Sequence, residues 1–586
     1  MTSPGEPVGR VLGTADATPL QFWTAVAAGS YLQLDDVVVT ERTLPAGDSA
    51  AGNSGPGVKV TISGVVTQVR ARHEGAQFES DVFAIADGTL PAQVQEAAEV
   101  TTTRVDPEVY VPPTPGAVVH RARGDLRAAA LSFDRMERLI PMGTGRDGEP
   151  LYLNADFLDG TRGAHVSISG ISGVATKTSF ATFLLYATLR SGVLGADAVN
   201  SRALIFNVKG EDLLFLDHPN TRLDTADAYA RLGLSAAPFP DVRVYAPPRA
   251  GDKSGAPDVS SRLSGVDTFY WTLAEFCADR LLPYAFADAD DERQQYTMVV
   301  HAVTAHLARV AQPADGAVTV DGQRLHSYPD LVDYVVAALN DEETRGTWAG
   351  SAVGIGTINA FARRLIASKK DLARLLRGDL PERRPHTVNT SQSAQVTVVD
   401  LHNLPDRAQR FVVGVTLRSE FERKERTGTA RPLLFVVLDE LNKYAPREGS
   451  SPIKEVLLDI AERGRSLGVI LIGAQQTASE VERRIVANSA IRVVGRLDPA
   501  EASRPEYGFL PQVMRQRALL AKPGTMFVNQ PEIPVPLCVA FPFPAWATRP
   551  GEAGTAPAAT LRSIVQRAEP FAVVGARGLS DDEIPF

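Results

Sequence analysis

Short, partly alternating apolar segments over residues 31–43, 58–72 and 117–127 predict a β-rich opening to the chain, up to about residue 140. Gly/Pro-rich stretches at 46–57 and 112–116 separate them. Strands at such close spacing, with turn signals between, predict a small barrel or sandwich. Residues 18–29 carry a mixed apolar pattern and predict a short helix within it. After residue 140 the period changes. Strand-like apolar runs at 164–169, 202–208, 394–401, 433–438, 469–473, 491–494 and 524–528 alternate with helical stretches. That alternation is the pattern of a parallel sheet with crossover helices, an α/β fold. The long interval between the second and third runs holds helical patterns at 270–285, 291–311, 328–339 and 360–376. It predicts a helical insertion at about 255–385 within the sheet domain, rather than a separate catalytic unit. The Gly/Ala/Pro-rich stretch 549–557 predicts a linker, and 580–586 an acidic tail. The expected division is therefore a barrel at 1–140, a sheet domain at 141–545, and a linker with tail at 546–586.

Composition narrows this picture. The chain has 586 residues, 44% hydrophobic and 22% charged, which suits a globular protein with a large core. Lys and Arg number 60 against 69 Asp and Glu, a net charge of −9. That excludes a generally basic, histone-like nucleic-acid binder but leaves room for a local basic patch. The two cysteines, Cys277 and Cys538, lie far apart, which excludes a disulfide framework or a Cys-rich zinc module and predicts buried, reduced thiols. The N-terminus lacks a basic and then apolar leader pattern, and no apolar run approaches the roughly 18 residues of a membrane span. The expected location is cytoplasmic, with no membrane partner. The nine histidines form no HExxH pattern, no GxSxG elbow occurs, and of the paired acids only Asp439-Glu440 has a strand-end setting, so a protease or glycosidase has no footing.

The most informative stretch is AHVSISGISGVATKTSF at 164–180. An apolar run enters a loop with Gly170 and Gly173, then meets Lys177-Thr178-Ser179 and a helix-forming run. Strand, small-residue loop, Lys-Thr and helix are the setting of a phosphate-binding loop. Backbone N–H groups and the helix start receive phosphate oxygens, Lys177 reaches the β- and γ-phosphates of ATP, and the Thr178 hydroxyl ligates Mg²⁺. Gly170, Gly173, Ala175, Thr176, Lys177, Thr178 and Ser179 make up the expected nucleotide-binding set. The loop departs from GxxxxGK[ST] in two ways: Thr176 stands where glycine is usual, and the loop is one residue longer.

LLFVVLDE at 433–440 is a continuous apolar run ending in two acids, as expected of a strand buried on both faces whose end meets the ligand. Asp439 is expected to hold Mg²⁺ through water, and Glu440 to polarise the attacking water. The run at 469–473 ends in Ala474-Gln475-Gln476, and Gln476 is expected to sense the γ-phosphate or hold the water. Arg463 and Arg465, in the preceding helical pattern, are candidates for an arginine finger offered to a neighbouring subunit's ATP. Arg492 and Arg496 are second choices. Lys209 and Glu211, after the run 202–208, fit either the nucleotide edge or a plain turn.

With these pieces in order, the chain resembles the HerA family, within the HerA/FtsK group of RecA-like motors. Asn207-Val-Lys-Gly-Glu211 is similar to the family's Asp-x-Lys-Gly-Glu stretch, with Asn207 in place of the acid. Asp439-Glu440-Leu-Asn-Lys-Tyr-Ala-Pro446 resembles its extended Walker B segment, and Glu462-Arg-Gly-Arg-Ser-Leu-Gly468 its Arg-Gly-Arg helix. Residues 11–20 and 31–37 resemble the family's N-terminal β-barrel, and 141–157 its lead-in to the motor. The resemblance implies a RecA-like P-loop NTPase core behind a small β-barrel, in a homohexameric ring with ATP at subunit interfaces. It implies translocation on double-stranded DNA and a docked effector, a nuclease or a sirtuin-like NAD-cleaving protein, in DNA-end processing or antiphage defence. An alternative is an assembly scaffold that uses nucleotide to hold or gate an effector with little DNA movement. A metabolic P-loop kinase is weaker, because no small-substrate acceptor site is visible. The net charge lends DNA binding no independent support; phosphate contact needs only a local ring of Lys and Arg.

Overall fold

The computed structural model describes residues 5–45, 57–171, 177–222, 225–286, 294–380 and 386–554. Six strands, Pro7–Val11, Gln21–Val26, Val37–Thr43, Lys59–Glu74, Gln93–Asp106 and Val118–Arg121, close into an N-terminal barrel. Phe22, Val38, Ile62, Val66, Val100 and Val119 fill it and are fully buried. The helix expected at 18–29 is instead the strand Gln21–Val26. Phe22 and Thr24 alternate inward along it, and it pairs with residues 97–101. Local composition allowed either structure; the distant partner strand decides.

The second domain is built on a sheet of 12 strands. Eight run parallel, in the spatial order Val266–Thr268, Val242–Ala246, Val396–Asp400, Arg202–Asn207, Leu434–Leu438, Val469–Gln475, Val166–Ser169 and Ile491–Val494. Four antiparallel strands, Thr525–Asn529, Leu537–Ala540, Leu139–Thr144 and Pro150–Asn154, extend the far side. Side chains alternate across the sheet. Leu204, Phe206, Val436 and Leu438 join one core with the helices Asp406–Thr427 and Pro452–Leu467. Ala203, Ile205, Phe435 and Val437 join the other with the helix Lys177–Arg190. Burial on both faces explains why the central strands read as unbroken apolar runs.

The insertion is helical at Gln294–Val310, Tyr328–Asn340, Glu342–Ala349 and Ile355–Leu372. It also holds a three-stranded antiparallel sheet, from Gln312–Ala314 to Gln323–Leu325. The helix expected at 270–285 begins instead as the strand Trp271–Thr272, and the helix starts at Leu273 behind a Thr272/Glu275 capping box. Leu331 and Phe361 of the insertion share one core with Leu204 of the sheet, so the insertion is part of the domain.

Beyond residue 540 the chain returns across the sheet domain. Trp546, expected at the head of a linker, is fully buried. Its ring lies 4.9 Å from those of both Tyr186 and Phe239. The acidic tail lies outside the described residues. Both cysteines are buried and unbridged, and burial pushes the Cys277 thiol up to about 12. Among the described residues no helix is long and apolar enough to cross a membrane.

His165, one residue before the strand Val166–Ser169, fixes that strand to its neighbour. It has φ +66°, a left-handed value uncommon outside glycine. Its Nδ1 accepts from the Leu471 N–H at 2.9 Å. Burial pulls the imidazole down to about 4. The folded state therefore resists a proton that the unfolded chain takes up near pH 6.5. This contribution is full above about 6.5 and is lost as pH falls toward 4, worth about 3 kcal/mol. Denaturant unfolding of the wild type and of His165→Asn, which tolerates positive φ, should show a shallower acid loss for the variant across this window. Identical pH profiles would show that another group governs it.

Candidate functional site

Parallel strands deliver their ends to one edge of the sheet, and most of the expected site residues meet there. The strand Val469–Gln475 lies between Val166–Ser169, which leads into the loop, and Leu434–Leu438, which leads into the acids. Its glutamines therefore stand between loop and carboxylates. Gln475 is fully buried and donates from Nε2 to Ser167 Oγ at 2.7 Å and Ser169 Oγ at 3.0 Å, tying the two strands together. Gln476 turns the other way and donates from Nε2 to Glu440 Oε1 at 2.9 Å.

The first loop residues are seated by backbone bonds. Gly170 N–H donates to the Gln475 carbonyl at 3.2 Å, and Ile171 N–H to the Arg496 carbonyl at 2.8 Å. A Cβ on Gly170 would stand 3.2 Å from that same Arg496 oxygen, a tight approach that favours glycine. Gly173, Ala175 and Thr176 lie outside the described residues. The helix Lys177–Arg190 begins with Lys177-Thr178-Ser179, so its first N–H groups, which lack intrahelical acceptors, face the pocket. Lys177 is buried, and its Nζ donates to the Gly170 carbonyl at 2.7 Å. Burial pulls its pKa down, nearby Lys209 adds to this, and Asp439 and Glu440 oppose it.

Thr178 Oγ1 donates to Asp439 Oδ2 at 3.1 Å, across 261 positions of sequence. A hydroxyl and a carboxylate side by side are hard oxygen donors of the kind Mg²⁺ takes, with water completing its shell. The residues fit that ion: Thr178 and Asp439 would hold it. When bound, it would supply charge neutralisation at phosphate oxygens. Asp439 Oδ1 also accepts from the Glu440 N–H at 2.8 Å, which orients both acids. Glu440 has φ +56°, a sharp turn out of the strand that aims its side chain across the edge.

Lys209 is the residue whose weight the sequence understates. Its Nζ bonds Glu440 Oε1 and lies 3.5 Å from Asp439 Oδ2. Burial would lower its pKa, but the two carboxylates more than offset this and raise it. Glu440 is shifted the other way. Burial would raise it, yet bonds from Lys209 and Gln476 and the charges of Lys209 and Lys177 hold it below the usual range. Glu211 turns away, accepting from Ser260 N–H at 3.0 Å and Ser260 Oγ at 2.7 Å. Asn207 donates from Nδ2 to Asp400 Oδ1 at 2.9 Å and to the Gly210 carbonyl at 2.8 Å. An acid at 207 would face Asp400 carboxylate to carboxylate, which explains why an amide serves here.

A cavity of about 300 Å³ has Lys177, Thr178, Ser179, Asn207, Lys209 and Asp439 in its wall. Asp212, Thr548 and Arg549 line it too, and the sequence gives no sign of them. Arg549 Nε donates to Asp212 Oδ1 at 2.9 Å, from a stretch that reads as linker. The buried Trp546 just before it is the one local signal that this segment returns to the core.

Arg463 and Arg465 are not brought to this pocket. They lie near the end of the helix Pro452–Leu467, at the starting edge of the strands. Arg463 pairs with Glu425, and Arg465 donates to the Gly160 and Thr161 carbonyls at 3.1 and 2.8 Å. Arg492 lies over the Phe509 ring, and Arg496 donates to the Leu519 carbonyl at 3.2 Å.

No protein-family model matches the chain, and no curated protein matches it. Among solved structures it is similar to VirB4 of Thermoanaerobacter pseudethanolicus, at 18% identity over 69% of this chain and 96% of that one, with a TM-score of 0.42. It is also similar to the plasmid coupling protein TrwB in complex with the ATP analogue ADPNP, at 14% identity over 72% and 94%, with a TM-score of 0.44. A genome-packaging NTPase of Sulfolobus turreted icosahedral virus 2 matches 24% of this chain and 64% of its own, at 14% identity and a TM-score of 0.18.

Proposed function

We propose that this chain is an ATP-hydrolysing motor that binds ATP with Mg²⁺ and acts as a homo-oligomeric ring, a hexamer, on double-stranded DNA. The observation that carries the ATPase reading is the convergence at one sheet edge of Lys177, Thr178, Asp439, Glu440 and Gln476 from three separate strands. Lys177 and the helix start bind phosphate. Asp439 and Thr178 hold the metal ion. Glu440, kept ionised and aimed by Gln476 and Lys209, accepts a proton from the attacking water.

Arg465, or Arg463 beside it, completes a neighbouring subunit's site, a role that follows the resemblance of residues 462–468 to the family's Arg-Gly-Arg helix; within its own chain neither reaches the pocket. The DNA and effector parts of the proposal follow the resemblance to the HerA family. The effector is a nuclease or a sirtuin-like NAD-cleaving protein, and the setting is antiphage defence or DNA-end processing. ATP turnover of the purified chain, with and without linear double-stranded DNA, tests the motor against the scaffold. DNA stimulation that fades with added salt is expected of a translocase. Turnover indifferent to DNA would favour a nucleotide-dependent scaffold that holds its effector.

A further inference from the structure

The starting edge of the sheet, opposite the carboxylate pair, carries a separate cavity of about 370 Å³. Arg202, Arg423, Lys424 and Arg431 line it, with Asp197 as the one carboxylate among its lining residues. Two of these cations are matched. Arg423 bonds Glu420 and reaches Thr390 Oγ1 at 2.9 Å, and Arg431 lies 2.8 Å from Asp197 and 3.1 Å from Asp159. The other two are not. Lys424 is 2% exposed, and its Nζ donates to the carbonyls of Thr429 at 3.1 Å and Pro432 at 2.7 Å. Arg202 donates to the carbonyls of Val199 at 2.8 Å and Ser201 at 3.2 Å. Among the described residues no carboxylate lies within ion-pair distance of either. The Nε atoms of Arg202 and Arg423 are buried and have no hydrogen-bond partner among the described residues. Burial, reinforced by the charges of Arg423 and Arg431, pulls the Lys424 ammonium down to about 8.

A buried charge without a counter-charge is costly unless something else neutralises it. Lys424 stands in the last turn of the helix Asp406–Thr427, where the helix end itself favours a cation. That does not account for Arg202, which comes from the start of a strand. The guanidinium groups of Arg202, Arg423 and Arg431 and the Lys424 ammonium stand around one hollow, and such cations are the partners that phosphate oxygens take. The concave shape suits a small ligand. Duplex DNA would need projecting side chains, and Lys424 does not project. A neighbouring cavity of about 620 Å³ shares Arg423, but Glu275, Asp279, Glu420 and Glu422 face its arginines, so it has no such bias.

We infer that the cavity at Arg202 and Lys424 binds a small phosphorylated anion, at a site distinct from the ATP pocket. The strand Arg202–Asn207 separates the two by about 17 Å. Titration calorimetry of the full chain with inorganic pyrophosphate tests this at low ionic strength. The Lys177→Ala protein, weakened at the loop, should still bind pyrophosphate. Adding Arg202→Gln should weaken that binding about tenfold, and adding Lys424→Met at least as much. AMP displacing pyrophosphate better than inorganic phosphate does would identify a nucleotide; equal displacement would identify the phosphate group alone as the feature read. No pyrophosphate binding by the Lys177→Ala protein, or binding unchanged by Arg202→Gln, would overturn the site. Arg202 is only partly buried, so its variant remains informative if Lys424→Met misfolds, and thermal melting checks both. The inference is independent of the loop assignment. Were that assignment wrong, wild type and Lys177→Ala would bind pyrophosphate alike, and the Arg202 comparison would still decide.

Discussion

Glu440→Gln should retain ATP and lose hydrolysis, with single-turnover cleavage slowed by about 10²- to 10⁴-fold. The substitution keeps shape and volume, so the sharp turn at φ +56° is undisturbed. It removes the one property the site is arranged to preserve, a charged carboxylate. Lys209 and Gln476 both donate to Oε1, and together with Lys177 they hold Glu440 ionised below the usual carboxylate range. An amide oxygen still accepts one of these bonds but takes no proton from water. Nucleotide affinity should survive, because Lys177, Thr178 and the helix start are separate from the change. Lys209, an exposed residue, keeps a counter-charge in Asp439, 3.5 Å away, so it is not left without an acid partner. Equilibrium ATP binding and single-turnover hydrolysis, measured on the same preparation, check both halves. Cleavage within a few-fold of wild type would remove Glu440 from the chemistry. Because its folded pKa is lowered, protonation of Glu440 should not limit turnover near neutral pH.

The parts of this fold that were legible are those whose sequence signal is local. Strands 202–207, 434–438 and 469–475 are buried on both faces and read as unbroken apolar runs. Their acidic and amide ends then mark one edge without further information. The strand Gln21–Val26 was not legible, because what selects it over a helix is its pairing with residues 97–101. Its own six residues do not. The three short strands between Gln312 and Leu325 pair over so few residues that no alternation develops. In the site, Lys209 takes its meaning from Glu440, 231 positions away, and no spacing within its own segment reports that contact. Arg549 is harder still. Gly and Pro around it argue for a linker, and distant contacts bring it to the pocket: Trp546 buried against Tyr186 and Phe239, and the Leu213 N–H donating to the Thr548 carbonyl at 2.9 Å. Arg463 and Arg465 are the reverse case: the motif singles them out, and the chain alone spends them on Glu425 and on the carbonyls of Gly160 and Thr161.

Lys177→Ala should weaken ATP binding by about a hundredfold or more, the expected cost of removing one partner from a desolvated charge contact. The same change should leave the nucleotide-free protein no less stable, and this second half separates a binding lysine from a structural one. Lys177 is 4% exposed, yet its one described hydrogen bond is to the Gly170 carbonyl. Burial holds its pKa down; Asp439 and Glu440 offset this only in part, and Lys209 adds to it. The ammonium is thus kept in the fold at a cost, and among the described residues no direct ion pair offsets it. Alanine removes that cost together with the phosphate contact, and alanine is also the better helix-former at the first position of Lys177–Arg190. Calorimetric ATP titration and thermal melting without nucleotide provide the two readouts. Lost affinity with an unchanged or higher melting temperature is the expected pair. Affinity within about threefold of wild type would sink the phosphate-binding role of Lys177. A large fall in melting temperature would instead mean that the Lys177–Gly170 bond holds the loop strand to the helix, and the lysine would then be a structural clasp.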